Sequence, residues 1–515
     1  MKSVFKIKKG LDVKLIGDAD FIIKAHKVSK VAVCPDDFKW LKAKLNVNER
    51  DNVKIGTPII FSKDNPEIKI VAPISGEVTS IVRGEKRKIE RIVITSDNKF
   101  EKEDFNLDFK LERTAIINAM LTTGLWPFIK QRPFDCIADP NDIPKAIFIS
   151  CFDSSPLAPS YSFLLQDRQE EFQKGIEILS HLTNGPIILG LKNNIGNSFF
   201  EATKNVQFKY FEGPHPSGNI GTQIHYISPL AKGEIVWYVN PQDIAIIGKL
   251  YLKNELDFSK IIVLCGSGIA EPYYLKTISG SNILDAIMKM SNIECAYVND
   301  KCIHPESECS NCQIKGTNLV SGRMQLGKLR IKNYGFVIED KRNKRKKKFK
   351  DVDDNTVYIS SNSGPTDARI ISGNVLTGTN ISKSTFLRFY HNQVTVIPEG
   401  GKRRFLGWLY PGFRLWSVSH TYVSWLYPNR KHNLDTTLHG GKRAMILSDI
   451  YEKVFPLDIL PMELLKACVI GDTELMEQLG IYEVVEEDFA LCEVVCPSKT
   501  ECQKIIYDGL SLLKE

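Results

Sequence analysis

Four thiols fall within 18 residues: Cys295, Cys302, Cys309 and Cys312, with His304 among them. The closing C-x2-C spacing lets two sulfurs share one ion, and a tetrahedron of four thiolates suits Zn²⁺. Such a site leaves no open coordination position, so its role would be structural. The six-residue gaps match neither zinc ribbons nor ferredoxin clusters, and free thiols in a surface insertion are the favoured reading. Near the C-terminus, Cys492-x3-Cys496-Pro497 is the tail of a ferredoxin run. The two cysteines that should precede it are missing, and a cubane wants four thiolates.

Two further stretches carry the outline of a binding site. "IIVLCGSGIAEP" (261–272) resembles a dinucleotide fingerprint, but Glu271 replaces the third glycine and Pro272 follows. A glutamate there crowds helix against strand and repels a pyrophosphate, so a plain turn is favoured. "GPHPSGNIGTQIHY" (213–226) sets His215 and His225 among Gly213, Gly218 and Gly221. Glycines at that density let backbone approach a ligand or a neighbour closely. No acid lies between the histidines, so a structured loop is favoured over a metal site, with a small-molecule or subunit contact as the sharper reading. No Walker loop, G-x-S-x-G or H-E-x-x-H occurs, and no catalytic residue is assigned.

The elements that must position these residues begin with "LNVNERDNVKIGTPIIF" (45–61) and "PEIKIVAPISGEVTSI" (66–81), two halves of a biotinyl- or lipoyl-type barrel. Asp51, Asn52 and Gly56 make turns, while Val53, Ile55, Ile59 and Phe61 alternate as strand residues do. A carrier needs its lysine at the hairpin apex. The register places Asn65 there, and Lys63 is two residues away. The barrel is expected to be a docking module rather than a swinging arm.

At 515 residues the chain is long enough for three or four domains. The net charge of +7 is local: "KRNKRKKKFK" (341–350) holds eight of 68 basic residues, leaving 60 against 61 acidic. That pattern argues against a nucleic-acid-binding face. No apolar run approaches the ~20 residues of a membrane span. The N-terminal sequence lacks a signal-peptide core, and 12 cysteines without one suggest a reducing cytoplasm.

"RTAIINAMLTTGLWPF" (113–128) reads as a helix stopping at Gly124. "AIFISCF" (146–152), "DRQEEFQKGIEILSHL" (167–182) and "PIILGL" (186–191) read as strand, helix, strand, hence a parallel α/β unit. The expected fold is therefore α/β multidomain. Residues 1–105 form a barrel-sandwich, 106–258 a nucleotide-binding-like α/β domain, and 259–380 a small β-grasp module. That module carries a Cys-rich then Lys-rich insertion over about 290–366. Residues 381–515 form a helical domain, whose last helix is expected to start with a capping box of Ser498 and Glu501.

Taken in order, these segments resemble the A subunit of the bacterial Na⁺-translocating NADH:quinone reductases (Nqr). The likeness rests on "IKKGLDV" (7–13), "VAPISGEVTSIVRGEKR" (71–87), "GLWPFIKQRPF" (124–134) and the 213–225 loop. It continues through "VWYVNPQDIAIIGKL" (236–250), "RIISGNVLTGT" (369–379), "EGGKRRFLGWLYPG" (399–412), "PLDILPMELLKACVIGDTE" (456–474) and "DFALCEVVCPSK" (488–499).

The resemblance implies a peripheral subunit without a redox cofactor, on the cytoplasmic face of the inner membrane. Its partners would be the other five subunits, chiefly a membrane-embedded one. NADH, flavins, Fe-S centres and quinone belong to the whole complex, which couples quinone reduction to Na⁺ export. A quinone contact is expected near His215, Gly218, Gly221 and His225, because the glycines permit close approach and the histidines offer hydrogen bonds. The likeness says nothing of the insertion, which other members cross more directly. The rival reading is an autonomous flavin- or NADH-dependent oxidoreductase.

Overall fold

The computed structural model describes residues 4–193, 196–284, 286–287, 364–400, 411–413, 415–445 and 449–514, with the backbone of short strands between 296 and 361.

Two small antiparallel sheets make the N-terminal barrel. One runs Lys30–Val33, Ile89–Ser96, Gly76–Arg83 and Asn52–Val53; the other runs Ala43–Leu45, Pro58–Ser62 and Lys69–Val71. Their alternating apolar residues meet between the sheets, with Val31, Ile59, Ile60, Val78, Ile92 and Ile94 fully buried. Gly56 turns the chain at φ +99, a conformation that disfavours any side chain. The hairpin tip between Pro58–Ser62 and Lys69–Val71 is organised by Asn65. Its N–H donates to Ser62 Oγ (3.3 Å) and its Oδ1 accepts from the Glu67 N–H (3.2 Å).

The first two strands leave this barrel. Val4–Lys6 pairs in parallel with Gln207–Glu212, and Asp20–Ala25 pairs in parallel with Tyr273–Ile278. Residues expected in the first domain thus extend sheets of two others. Strand alternation reveals a strand but not its partner.

The second sheet runs Val4–Lys6, Gln207–Glu212, Ile187–Lys192, Ile147–Ser150, Val236–Tyr238, Lys130–Arg132 and Cys136–Ile137. Its first five strands are parallel and the last two form an antiparallel hairpin. Apolar runs such as Ile187–Leu191 suit strands covered on both faces. Winding reverses at Ile147–Ser150, because the chain fills one side as far as Gln207–Glu212 and then returns to the other with Val236–Tyr238. Helix Arg113–Thr123 stops at Gly124 (φ 71), where a Cβ would run into Val71 of the barrel at 2.4 Å. Trp126 and Trp237 then meet edge to face, 5.6 Å apart, in the core.

Helices Gln169–Ser180 and Pro241–Lys253 cross at reciprocal glycines. A Cβ at Gly175 would lie 2.2 Å from the Ile244 carbonyl oxygen, and one at Gly248 would lie 1.8 Å from that of Glu171. The two backbones touch, and no side chain fits between them.

A third sheet contains Asp20–Ala25, Tyr273–Ile278, Ser259–Cys265, Gln393–Pro398 and Gly364–Ser372, and continues into short strands of the insertion. Gln393–Pro398 is central to it, so the sheet extends beyond residue 380, where a boundary was expected. The alternation of "QVTVIP" is a strand pattern inside a stretch read as helical. Among the described residues after this strand, the α-helices run from Pro461–Ile470 to Cys502–Lys514, preceded by one 3-10 turn at Val423–Leu426.

The expected capping box does not form. Ser498 Oγ donates to the Ala444 carbonyl (2.8 Å), and Glu501 pairs with Lys442. Glu493 instead accepts from the Gln503 N–H (2.8 Å), so the first turn is satisfied from the preceding helix. Among the described residues no helix is long and apolar enough to cross a membrane.

The reciprocal glycine crossing sets the first expectation. Gly248→Ala must push the two helices apart and should cost roughly 2–3 kcal/mol in urea unfolding. An unchanged midpoint would show that the helices separate freely.

Candidate functional site

Open parallel sheets bind ligands beyond the carboxyl ends of their strands, where winding reverses. A cleft of about 340 Å³ lies beyond Ile147–Ser150 and Ile187–Lys192. Phe21, Tyr161, Phe200 and Tyr274 give it aromatic walls, and Asp18, Asp153 and Lys192 supply charge. The Tyr161 hydroxyl accepts from Asn240 Nδ2 (3.0 Å), and the Tyr274 hydroxyl accepts from the Ser160 N–H (3.2 Å). Burial pushes the Tyr161 phenol well above its ordinary range, so it stays neutral. Phe21 stacks on Tyr274 at 5.9 Å and meets Phe163 at 5.0 Å, so the N-terminal segment forms one lip.

The histidine–glycine loop stands behind this cleft. His215 is buried, with Nδ1 3.0 Å from Ser154 Oγ, and its backbone N–H donates to Asp12 (2.9 Å). Burial lowers its pKa, against the pull of Asp153 and Asp12, which keeps the ring neutral. The Gly218 N–H donates to Ser154 Oγ (2.8 Å), and its carbonyl accepts from Ser150 Oγ (2.9 Å). A Cβ at Gly218 would lie 2.6 Å from the Ser154 nitrogen. These contacts fix the loop that carries Asp153 into the cleft.

Gly221 and His225 face the C-terminal region. A Cβ at Gly221 would lie 2.6 Å from Asp488 Oδ1. His225 Nε2 accepts from the Asp458 N–H (3.0 Å), so Nδ1 carries the proton and donates to Glu483 (2.7 Å). The four residues singled out in the sequence therefore share one loop and helix but serve two sets of partners. All of these partners belong to the chain itself.

Sequence reasoning missed a charged junction beside Gly221. Arg132, 1% exposed, donates to Glu487 (2.6 Å) and Asp488 (3.2 Å). Asp135 accepts from Lys39 (2.6 Å), Lys130 (2.5 Å) and the Tyr238 hydroxyl, and Lys39 also reaches Glu486 (2.9 Å). Burial opposes ionisation of Asp135, but Lys130, Lys39 and Arg132 outweigh it and hold its carboxyl well below the usual range. Burial pushes Asp488 and Glu487 upward, outweighing the downward pull of the Arg132 guanidinium they share. The only hint in the sequence is two alternating cations, Lys130 and Arg132, and an acidic triplet at 486–488.

Cys295, Cys309, Cys312 and His304 lie outside the described residues. Cys302 belongs to the two-residue strand Lys301–Cys302, opposite Tyr297. Among the described residues no group of three or more metal-ligating side chains is placed to hold an ion. Cys492, Cys496 and Cys502 are buried free thiols there, and the Tyr451 hydroxyl donates to Cys496 Sγ (2.9 Å).

Residues 5–97 match the family described as NqrA N-terminal barrel-sandwich hybrid domain, and residues 111–256 match NqrA second alpha/beta domain. The A subunit of the Na(+)-translocating NADH-quinone reductase of Rhodopirellula baltica is 31% identical, over 100% of this chain and 98% of the relative. That of Alcanivorax borkumensis is 30% identical over 99% of each, and that of Tolumonas auensis 32% over 96% of each. The chain belongs to this NqrA family.

The NqrA N-terminal match begins at Phe5, in a strand that the fold gives to the α/β sheet. The second NqrA match spans both crossing helices and Arg132 but stops short of residues 486–488. A chain of an air-oxidised NAD+-reducing [NiFe]-hydrogenase aligns at TM-score 0.25 and 12% identity, over 41% of this chain and 44% of that one, too slight a likeness to carry an argument.

Removing one partner of the buried junction leaves an uncompensated charge. Arg132→Met should therefore cost about 3–5 kcal/mol in chemical unfolding, and adding Glu487→Gln and Asp488→Asn should recover most of it. No loss in the single variant would remove the junction as a determinant of stability.

Asp243, 2% exposed, is pushed up to about 6 by burial, which outweighs Lys260 and Arg168. The folded chain thus keeps this proton to a higher pH than the unfolded chain, whose aspartates release theirs near ~4. The associated stability, roughly 3 kcal/mol, is complete below about pH 4 and lost as pH rises through the folded value. Asp243→Asn should flatten the decline of the unfolding midpoint between about pH 4 and 6.5; an equally steep decline would assign it to another group.

Proposed function

We propose that this chain is the peripheral NqrA component of a Na⁺-translocating NADH:quinone oxidoreductase, working as a non-redox scaffold on the cytoplasmic face of the membrane. The observation that carries this reading is the 31% identity to such a protein from end to end. The charged junction supports it, since Lys39, Arg132 and residues 486–488 fasten barrel, α/β domain and C-terminal helices into one body. The other five subunits are its partners, chiefly a membrane-embedded one. They hold the flavins and Fe-S centres that pass electrons from NADH to quinone while Na⁺ leaves the cytoplasm. Residues 259–398 outside the insertion are read as a β-grasp-type module, and the insertion's thiols as incidental rather than a Zn²⁺ site.

The quinone contact is assigned to the aromatic cleft, which the 213–225 loop buttresses through Ser154. A flat quinone ring suits aromatic walls with a few polar groups. His215 and Gly218 shape the cleft from behind, while Gly221 and His225 brace it against the C-terminal helices.

Affinity purification of the tagged chain from native membranes is expected to bring five further subunits and NADH:quinone reductase activity. A purified chain that carries its own flavin band, or oxidises NADH alone, would replace this reading with an autonomous oxidoreductase. Within the complex, a photoreactive quinone should label residues 151–162, and Ala158→Trp, which fills the cleft, should cut that labelling at least fivefold. Labelling confined to other regions would remove the quinone assignment.

A further inference from the structure

Residues 411–413 and 415–432 form an irregular loop; Val418 packs against the C-terminal core, while four large apolar side chains are exposed. Trp425, Leu426 and Tyr427 are consecutive, and with Phe413 they are each 52–55% exposed. Contiguous exposed apolar residues mark a surface that is covered in use. The loop is held by its own hydrogen bonds. The Val423 N–H donates to Pro411 (2.9 Å), the Tyr427 N–H to Ser424 (3.0 Å), and Ser424 Oγ to Leu415. Arg430 donates to the Phe413 carbonyl (3.1 Å), which holds Phe413 beside the Val423–Leu426 turn.

The N-terminal segment braces it from below. Lys14 Nζ donates to the Pro428 carbonyl and to Asn429 Oδ1, both at 3.1 Å. The His432 N–H donates to Lys14 (2.8 Å), the Ile16 N–H returns to His432 (3.1 Å), and Lys431 pairs with Asp18. Ile16, 46% exposed, extends the apolar surface.

The chemistry of the rim selects the occupant. Lys14 and Arg430 are bound to the loop with no acidic partner among the described residues, Lys431 is paired with Asp18, and Asp435 is the single acidic residue from 415 to 445. Tryptophan and tyrosine prefer the level of lipid head groups, where the ring is half apolar and its polar edge meets water. Cations beside them face lipid phosphates. A second exposed apolar patch, Val469 and Ile470 at the end of helix Pro461–Ile470, has the opposite character: aliphatic, with Asp472 and Glu474 next to it. That patch suits a protein partner and not an anionic bilayer.

We propose that the loop of residues 411–413 and 415–432 is a membrane-interface anchor that seats Phe413, Trp425, Leu426 and Tyr427 among the head groups of an anionic bilayer, with Lys14 and Arg430 against lipid phosphate. This anchor is separate from the quinone assignment and needs no partner protein to act.

The test is flotation of the purified full-length chain with vesicles of phosphatidylglycerol and phosphatidylethanolamine, against pure phosphatidylcholine. Binding to the anionic vesicles is expected, weakened severalfold by raising salt from about 0.1 to about 0.5 M. Trp425→Ser/Tyr427→Ser should lower partitioning at least tenfold with an unchanged unfolding midpoint, and Lys14→Gln/Arg430→Gln should remove the preference for anionic lipid. Absence of vesicle binding, or binding unaltered by the aromatic substitutions, overturns the anchor. If the aromatic variant floats normally but no longer co-purifies with its partners, the loop is a protein interface and the lipid proposal fails. Loss of flotation leaves membership of the complex untouched, because co-purification reads that separately.

Discussion

Arg132 is a guanidinium almost wholly removed from water, facing two carboxylates that are more than 350 positions away in the chain. A buried charge is tolerable only with its counter-charges in place, so this contact fixes where the C-terminal helices stand relative to the α/β sheet. Lys39 extends the same constraint to the barrel through Asp135 and Glu486. Gly221 carries no side chain because Asp488 occupies the space beside it. The Gly221 end of the histidine–glycine stretch is therefore set by the charges beside it.

The sheets are tied together as firmly as the charges. The two larger sheets are not built from one continuous stretch, since residues 4–25 supply an edge strand to each of them. The cleft inherits this construction: its floor is the carboxyl end of parallel strands, and its lip is the segment that follows the first strand. Phe21 reaches the cleft because Asp20–Ala25 is held by Tyr273–Ile278.

Much of the local structure was legible in the sequence. The apolar runs at 147–150 and 187–191 and the amphipathic stretch between them became a parallel strand, helix and strand, because buried strands must be apolar throughout. Gly124 ended its helix as its type foretold. Long-range choices were not legible. Ser498 has the chemistry of a cap, yet it bonds Ala444 because Glu493 already satisfies the helix start. The strand Gln393–Pro398 alternates visibly but was overshadowed by the helical sequence after it. For the site, the residue types at 215 and 225 announced hydrogen bonding, while Ser154, Asp458 and Glu483 could be named only from coordinates. The junction escaped notice because sequence carries no measure of which charges meet.

The edge strands at the N-terminus bear on how the chain is made. Val4–Lys6 must wait for Gln207–Glu212, roughly 200 residues later, and Asp20–Ala25 for Tyr273–Ile278. At a ribosomal pace of about 5–20 residues per second, the first segment emerges tens of seconds before its sheet exists. Phe5 and Phe21, which end beside Phe211 and Tyr274, spend that interval as bare aromatic residues on an unpaired strand. The barrel of residues 30–96 can close meanwhile. Residues 4–25 can thus settle into their sheets only after segments roughly 200 to 250 positions further along have been made.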